Sequence, residues 1–208
     1  MRIRTVLVVL SLLLLPVSRA YAGPFINGSF ETASVKPGAS FVTLPSGNTQ
    51  ITGWEAFIAS VDYIGTFWQA AEGNRSVDLN GNQGMAGIRQ TFDTEVGRTY
   101  IVDFALAGNP DGTPTTKTLN VFSGAFIQGY TFSTVGATRA DMNWVYKSFT
   151  FKATSTSSVL TFQSTTPSVF FGPVIDDVSV RAPEPMTLAL FGTGALGLAI
   201  RRRVSGRG

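Results

Sequence analysis

Short apolar runs alternate with turn-forming clusters throughout residues 25–181. This alternation limits the possible folds more than any other feature of the chain. The runs span 25–30, 40–44, 50–58, 60–64, 75–79, 86–92, 98–106, 117–122, 127–133, 144–153, 158–164 and 174–181. Apolar residues within them recur with a period of two, as in Tyr100, Val102 and Phe104, which therefore share one strand face. Between the two ends of the chain no segment keeps a helical period over three turns. Strands of this length and spacing predict an all-β fold, a sandwich of two antiparallel sheets.

Composition narrows the chemistry that such a sandwich can carry. The 208 residues include no Cys and no His, and only 14% are charged, against about 25% in ordinary soluble domains. The absence of His excludes Ser-His-Asp triads and His-ligated zinc. The absence of Cys excludes thiol catalysis, Fe–S clusters and disulfides. Carboxylate chemistry, sites for hard cations and plain binding remain.

Residues 1–22 have the three parts of a secretory signal peptide. Two Arg residues precede an apolar run of about ten residues, and Ala20 and Ala22 supply the small side chains expected at a cleavage site. A membrane-spanning helix needs about 20 apolar residues, so this run is too short for a comfortable anchor. We therefore expect export, with 23–182 as the mature β-sandwich domain.

The C-terminal residues 183–208 also have three parts. They are Pro183, Glu184 and Pro185, then an apolar stretch over 186–200, then a basic end over 201–207 that includes Arg201, Arg202 and Arg203. This tail resembles the PEP-CTERM sorting signal, which an exosortase-type transpeptidase reads in Gram-negative bacteria that make exopolysaccharide. The resemblance implies a short transmembrane helix with a transient stay in the inner membrane. Delivery to the cell surface, the outer membrane or the extracellular matrix would follow. A permanent tail anchor is the alternative.

The formal charge of +3 belongs to these two ends. Residues 23–182 contain nine Lys and Arg against twelve Asp and Glu, which gives a net charge near −3. The basic balance of the whole chain is therefore no argument for a nucleic-acid partner.

Acidic residues near the two ends of the mature domain form a candidate metal site. Asp176 lies on the apolar side of the last predicted strand, so its carboxylate is expected to face inward. A buried carboxylate is costly unless it is paired or binds a cation. Because the termini of a domain tend to lie close together, Glu31 and Asp177 could join it around Ca²⁺. The alternatives are solvated surface positions, or pairing of Asp176 with Arg181 or Lys36.

The two end segments resemble the opening and closing strands of galactose-binding-like jelly rolls. They are Asn27-Gly28-Ser29-Phe30-Glu31 and Ile175-Asp176-Asp177-Val178-Ser179-Val180. In the xylan- and glucan-binding modules of that group, the Glu of the first segment and an Asp of the second hold a structural calcium. The resemblance implies the same role for Glu31 and for Asp176 or Asp177.

The middle of the chain resembles the bacterial choice-of-anchor C family. The resembling segments are 51–54 (ITGW), 61–64 (VDYI), 73–81 (GNRSVDLNG), 106–110 (LAGNP), 142–144 (MNW) and 171–173 (FGP). That family is exported, often carries a PEP-CTERM tail, and is related to a plant cell-wall family thought to bind polysaccharide. The resemblance implies a jelly roll over residues 25–181 with extracellular polysaccharide as its partner.

A sugar site of that kind needs exposed aromatic rings beside polar groups. The candidates are Tyr63, Trp68, Tyr130, Trp144 and Tyr146. Trp68 ranks first because an acidic and polar stretch follows it, whereas Trp54 is expected in the core. The competing interpretation is that each ring simply packs inside the domain.

Three functions remain open from the sequence. The first is a non-catalytic surface or matrix protein that binds polysaccharide, and the second is a structural scaffold without a glycan site. The third is a glycoside-active enzyme, which needs two carboxylates about 5–10 Å apart in a cleft. The available carboxylates are those of Asp62, Glu72, Asp78 and Asp103, and no spacing singles out a pair. We therefore predict a binding protein, not an enzyme.

Overall fold

The computed structural model describes residues 23–183. The regular secondary structure in that range consists of β-strands alone. The strands are β1 (Phe41–Leu44), β2 (Glu55–Phe57), β3 (Val61–Ile64), β4 (Ser76–Asp78), β5 (Asn80–Gly81), β6 (Gly84–Met85), β7 (Gly87–Asp93), β8 (Thr99–Gly108), β9 (Thr116–Ser123), β10 (Phe126–Ser133), β11 (Val145–Lys152), β12 (Ser157–Ser164) and β13 (Pro173–Arg181). No helix within this range could cross a membrane. The predicted signal peptide and the sorting tail beyond residue 183 lie outside the described residues.

Two antiparallel sheets form the domain, which confirms the predicted sandwich. The six-stranded sheet has the order β1-β3-β4-β13-β8-β11, and the five-stranded sheet has the order β10-β9-β12-β7-β2. The short strands β5 and β6 form a separate two-stranded ribbon. All the predicted runs except the first overlap a strand.

The core lies between the two large sheets and is rich in aromatic rings. Phe104 of β8 is fully buried, and its ring centroid lies 5.0 Å from that of Phe162 and 5.2 Å from that of Tyr130 in the opposite sheet. Trp54 is 2% exposed, as predicted, and its Nε1 donates to the carbonyl oxygen of Asn27 at 2.9 Å. The period-two pattern of β8 therefore marks the core face of the six-stranded sheet.

The segment 25–30 is not the strand that the sequence predicts, but it does lie beside the last strand as predicted. Asn27 and Phe30 have φ angles of 53° and 60°, which are incompatible with an extended strand. The segment still lies against the last strand, because the backbone N–H of Val178 donates to the carbonyl oxygen of Gly28 at 3.0 Å. A Cβ atom on Gly28 would lie 1.7 Å from the Val178 carbonyl oxygen, so this approach requires glycine.

The last strand, β13, occupies the middle of the six-stranded sheet. Its register against β8 shifts between Asp176 and Ser179, where Asp177 adopts a φ of 45°. Asp176 pairs with Ala105, so its side chain lies on the face opposite that of Phe104. Asp176 is fully buried, as predicted, but the inward direction was wrong. The carboxylate faces the loops that cover the outer side of the sheet.

Candidate functional site

A cavity of about 440 Å³ opens on the outer face of the six-stranded sheet, above β1 and β3. The loops that follow β3, β8, β10 and β12 build its walls, together with the turn that joins β5 and β6. In antiparallel strands directly paired residues share a face, so the partners Thr43 and Asp62 project together into this space. Strands thus supply the floor of the pocket, and loops supply the rest.

Aromatic rings form one part of the pocket lining. The rings come from Phe41, Phe67, Trp68, Phe170 and Phe171. The rings of Phe41 and Phe67 meet edge to face, with centroids 5.5 Å apart. Phe41 is 42% exposed and Phe170 is 51% exposed. Large apolar side chains left open beside a cavity mark a surface that a ligand can cover.

Polar side chains form the other part of the lining. Asp62 lies on the floor, where its Oδ1 accepts a hydrogen bond from Thr43 Oγ1 at 2.6 Å. Burial raises the pKa of Asp62, and the Thr43 hydrogen bond partly opposes that shift. At the rim, Arg139 donates from Nε and from a terminal nitrogen to Asp111 at 2.9 Å each. The Arg139 guanidinium also lies 3.9 Å from the ring centroid of Phe67.

The Phe171–Gly172 peptide, which carries part of the wall, is held between a buried lysine and a buried aspartate. Its carbonyl oxygen accepts a hydrogen bond from Lys117 Nζ at 2.9 Å, and its N–H donates to Asp78 Oδ1 at 3.0 Å. Lys117 Nζ also donates to the carbonyl oxygen of Gly112 at 2.8 Å. Lys117 and Asp78 are both fully buried. The hydrogen bonds of these two side chains therefore fix the loop after β8 to the loop before β13.

Asp78 is the acidic residue of this arrangement, and its environment disfavours the charged form. Burial raises the pKa of Asp78 to about 8, against hydrogen bonds from Asn80 and Asn109. Burial lowers the pKa of Lys117, and the nearby charge of Asp78 acts in the opposite direction. A Cβ atom on Gly172 would lie 2.4 Å from Asp78 Oδ1, so glycine is needed at this close approach.

Asp62 and Asp78, two of the carboxylates considered for an enzyme, do not form an accessible pair. Asp62 and Asp78 are cross-strand partners on β3 and β4, but Asp78 is sealed beneath the loops and is occupied by N–H donors. Asp103 binds Arg181 at 2.9 Å on another part of the sheet. Glycoside hydrolysis by two carboxylates requires both to reach the substrate. Asp78 does not meet this condition.

Glu31 and Asp176 converge on one short loop, 71–74. Asp176 Oδ2 accepts hydrogen bonds from the backbone N–H groups of Ala71 and Glu72 at 2.8 and 3.0 Å. Glu31 Oε1 accepts one from the N–H of Asn74 at 2.6 Å. Burial raises the pKa of Asp176 to about 7, although the backbone hydrogen bonds oppose the shift.

The alternative partners predicted for Asp176 are not used. Arg181 binds Asp103, and Lys36 is exposed. Among residues 23–183 no three acidic side chains form a group that could hold a metal by themselves. A cation between Glu31 and Asp176 would therefore need backbone oxygen atoms as well, which is the donor set that calcium accepts.

The aromatic residues predicted to bind sugar separate into three groups. Tyr63 and Tyr130 are buried, so their ring faces are not available to a ligand, and the Tyr63 hydroxyl donates to the Phe30 carbonyl oxygen. Trp68 lines the pocket, but it is only 5% exposed and its Nε1 donates to Ser76 Oγ. Trp144 and Tyr146 do not line the pocket. Their polar atoms bind the Gln69 carbonyl oxygen and the Asp177 carboxylate, respectively.

A family model described as "Protein of unknown function (DUF642)" matches residues 23–181. The chain belongs to the DUF642 family. This DUF642 domain is 29% identical over 170 residues to Halomucin of Haloquadratum walsbyi. That alignment covers 78% of the chain but only 2% of the length of Halomucin. The name choice-of-anchor C stays a prediction.

Solved structures similar to the DUF642 domain include two carbohydrate-binding modules. One is a family 35 module from Clostridium thermocellum, with 14% identity, a TM-score of 0.46 and coverage of 68% of this chain and 99% of that one. The other is TmCBM61 in complex with β-1,4-galactotriose, with 16% identity, a TM-score of 0.46 and coverage of 77% and 99%. These likenesses concern the fold alone.

A second family model, the PEP-CTERM protein-sorting motif, matches residues 181–203. It confirms the sorting signal that the order of motif, apolar stretch and Arg cluster predicts. A chain with this motif is exported and sorted to the surface of a bacterial cell.

Sequence reasoning missed most of the pocket in this DUF642 domain. The missed residues include Phe41, Phe67, Asp111, Arg139, Phe170 and Phe171. One signal was available, because Phe170 and Phe171 are adjacent, and successive side chains of an extended segment cannot both enter one core. Arg139 carried no such signal, since its role depends on a loop meeting Asp111 from a distant part of the chain.

Proposed function

We propose that the domain is a non-catalytic module that binds extracellular polysaccharide in the pocket above β1 and β3. The observation that carries the proposal is the combination of open aromatic rings and polar side chains around one cavity of about 440 Å³. Pockets that bind small ligands have volumes of about 300–1,000 Å³ and this kind of lining. The cavity can therefore accept a short stretch of a sugar chain.

The chemistry of sugars matches both parts of the lining. A pyranose ring has an apolar face of C–H groups, which packs on aromatic rings such as those of Phe41 and Phe170. Its hydroxyl groups donate hydrogen bonds, so they suit the Asp62 carboxylate. Exposed rings and partly buried polar groups would then be covered by one ligand.

Replacing Phe170 by alanine should weaken polysaccharide binding without unfolding the protein. The ring is 51% exposed, so its loss removes ligand contact while leaving most core packing intact. We expect about tenfold weaker binding, equivalent to about 1.4 kcal/mol. Affinity electrophoresis of the full chain in mild detergent, through gels that contain single soluble polysaccharides, measures this change.

Ile127→Ala is the matched control, because Ile127 is 65% exposed on β10 of the opposite sheet. Tyr146→Ala tests a residue that the sequence predicts to bind sugar and that lies outside the pocket. If Tyr146→Ala abolished polysaccharide binding while Phe170→Ala still bound like the wild-type chain, the pocket assignment would be wrong. Release of reducing sugar would favour an enzyme, and failure of the wild-type chain to bind any polymer would favour a scaffold.

We further propose where the module acts. The sorting motif over 181–203 supports processing by an exosortase-type transpeptidase in a Gram-negative bacterium. The domain would then remain at the outer membrane or in the extracellular matrix, where exopolysaccharide surrounds it.

We also propose a structural Ca²⁺ bound by Glu31 and Asp176, with backbone oxygens completing its ligands, while the Asp177 carboxylate accepts a hydrogen bond from the Tyr146 hydroxyl. The site is supported by the hydrogen bonds that Glu31 and Asp176 both accept from the loop 71–74, and by the complete burial of Asp176. A bound cation would favour the ionised form of Asp176 and so offset the cost of its burial. The ion would join the first segment of the domain to its last strand.

Calcium should therefore raise the melting temperature of the full chain relative to the same protein in EDTA. At a calcium concentration a hundredfold above the dissociation constant, the stabilisation is about 2.7 kcal/mol. Glu31→Gln and Asp176→Asn should remove the calcium response, whereas Glu55→Gln, whose side chain binds Arg89 elsewhere, should keep it. Equal melting temperatures in EDTA and in millimolar calcium would show that this site does not exist.

A further inference from the structure

We propose that the pocket accepts sugar residues without acidic groups and rejects uronic acids, and that Asp62 sets this selectivity. The inference rests on the proposed function and goes beyond it by naming the class of glycan. It depends on the charges in the pocket lining and on how each of them is already partnered.

The fixed charge of the lining is negative. Asp62 and Asp111 each carry a carboxylate, and Arg139 is the one cationic residue that lines this cavity in the described part of the chain. The net formal charge of the lining is therefore −1 when both carboxylates are ionised. The mature domain as a whole is also acidic, so it adds no positive field that could attract a polyanion.

The cation in the lining is already committed. Arg139 binds both carboxylate oxygens of Asp111, with its Nε 2.9 Å from Oδ1 and a terminal nitrogen 2.9 Å from Oδ2. Its guanidinium plane is also packed near the ring of Phe67. A sugar carboxylate would have to displace Asp111 from this two-pronged contact to gain an Arg partner. Arg139 therefore holds the rim in place, and it is not a receptor for acidic ligands.

Asp62 has the opposite property, because its capacity to accept hydrogen bonds is only partly used. Within residues 23–183, Thr43 is the one side chain that donates to it, through a bond to Oδ1. Asp62 is only 8% exposed, and aromatic rings line the cavity beside it. Charges in such surroundings interact more strongly than charges on an open surface.

A carboxylate in that position discriminates between ligands by charge. A sugar hydroxyl or ammonium group can donate to the oxygen of Asp62 that Thr43 leaves free. A uronate in the same place brings a second anion that cannot donate, and the two charges repel. Behind the floor Asp78 is also acidic, and its compensating cation, Lys117, is turned away into contacts with two backbone carbonyls. The floor thus offers no group that a uronate could bind.

The test compares neutral polymers with their acidic derivatives. The probes are galactan, glucomannan and soluble β-glucan, each before and after oxidation of primary hydroxyls to carboxylates. The full chain in mild detergent should bind at least one neutral polymer, and it should bind the oxidised form at least tenfold more weakly. Added salt should narrow this ratio, because screening weakens repulsion.

Asp62→Asn keeps the shape of the side chain and its bond with Thr43, so it should fold and should reduce the ratio to less than threefold. Asp103→Asn removes the same charge far from the pocket and should leave the ratio unchanged. Equal binding of neutral and oxidised polymers by the wild-type chain would overturn the inference, as would an unchanged ratio in Asp62→Asn. Binding of oxidised polymers alone would overturn the inference while leaving the proposed function in place, and binding of neither form would overturn both.

Discussion

Gly28→Ala will destabilise the domain by about 3 kcal/mol or more. The added Cβ atom would lie 1.7 Å from the carbonyl oxygen of Val178 and 2.7 Å from its carbonyl carbon, so backbone must move to admit it. Any such movement strains the hydrogen bond between the Val178 N–H and the Gly28 carbonyl oxygen. That bond joins the first segment of the domain to the bulge in β13. Urea unfolding of the full chain, followed by circular dichroism, measures the change.

Gly129→Ala is the control for this effect. Gly129 lies in an exposed part of β10, and a Cβ atom there would meet only the side chain of Asn120 at 3.3 Å and a backbone oxygen at 4.0 Å. Because alanine also restricts the unfolded chain, this variant should be close to neutral. Similar midpoints for the two variants would contradict the close contact between the first segment and the last strand.

Lys117→Met should cause the second large effect, a loss of about 3 kcal/mol together with weaker polysaccharide binding. The methionine keeps an apolar stem but leaves the carbonyl oxygens of Gly112 and Phe171 without their donor. A buried polar group without a partner costs about 1–3 kcal/mol. Asp78 also loses a compensating positive charge. The wall formed by Phe170 and Phe171 should therefore loosen, so Lys117 acts as a positioning residue.

Lys152→Met, at an exposed position at the end of β11, removes the same charge without touching the pocket. It should leave both stability and binding close to those of the wild-type chain. Thermal unfolding and affinity electrophoresis, measured on the same preparations, separate the two consequences of Lys117→Met. A Lys117→Met protein with wild-type stability and wild-type affinity would show that the contacts of this cation do not hold the wall.

The strands could be read from the sequence because each buries one face. In β8 the core residues Val102, Phe104 and Leu106 alternate with residues on the other face of the sheet. This alternation appears in the sequence as a period of two. The segment 25–30 has similar apolar content, but its backbone turns at Asn27 and Phe30. Its apolar side chains are fixed by contacts with distant residues, and local periodicity does not report those contacts.

The site was less predictable for the same reason. The closeness of the first segment and the last strand could be predicted from the tendency of domain ends to lie together, but the loop to which Glu31 and Asp176 both bind could not. The pocket lining comes from strands and loops that are widely separated along the chain, and Phe170 is indistinguishable from a core residue by composition. Tyr63 shows the converse error, since its polar neighbours in the sequence suggested an exposed ring, whereas the ring is buried and its hydroxyl donates to the Phe30 carbonyl oxygen.

The central position of β13 determines when the domain can finish folding. Without residues 173–181 the six-stranded sheet would consist of two separate ribbons, β1-β3-β4 and β8-β11, whose facing edges are unpaired. Unpaired strand edges bind other chains readily, so a partly translocated protein is at risk of aggregation. The sorting motif begins at Arg181, the last residue of this strand. The strand that completes the sheet therefore ends where the sorting motif begins, so a chain that has been synthesised as far as this motif already contains every strand of the sheet.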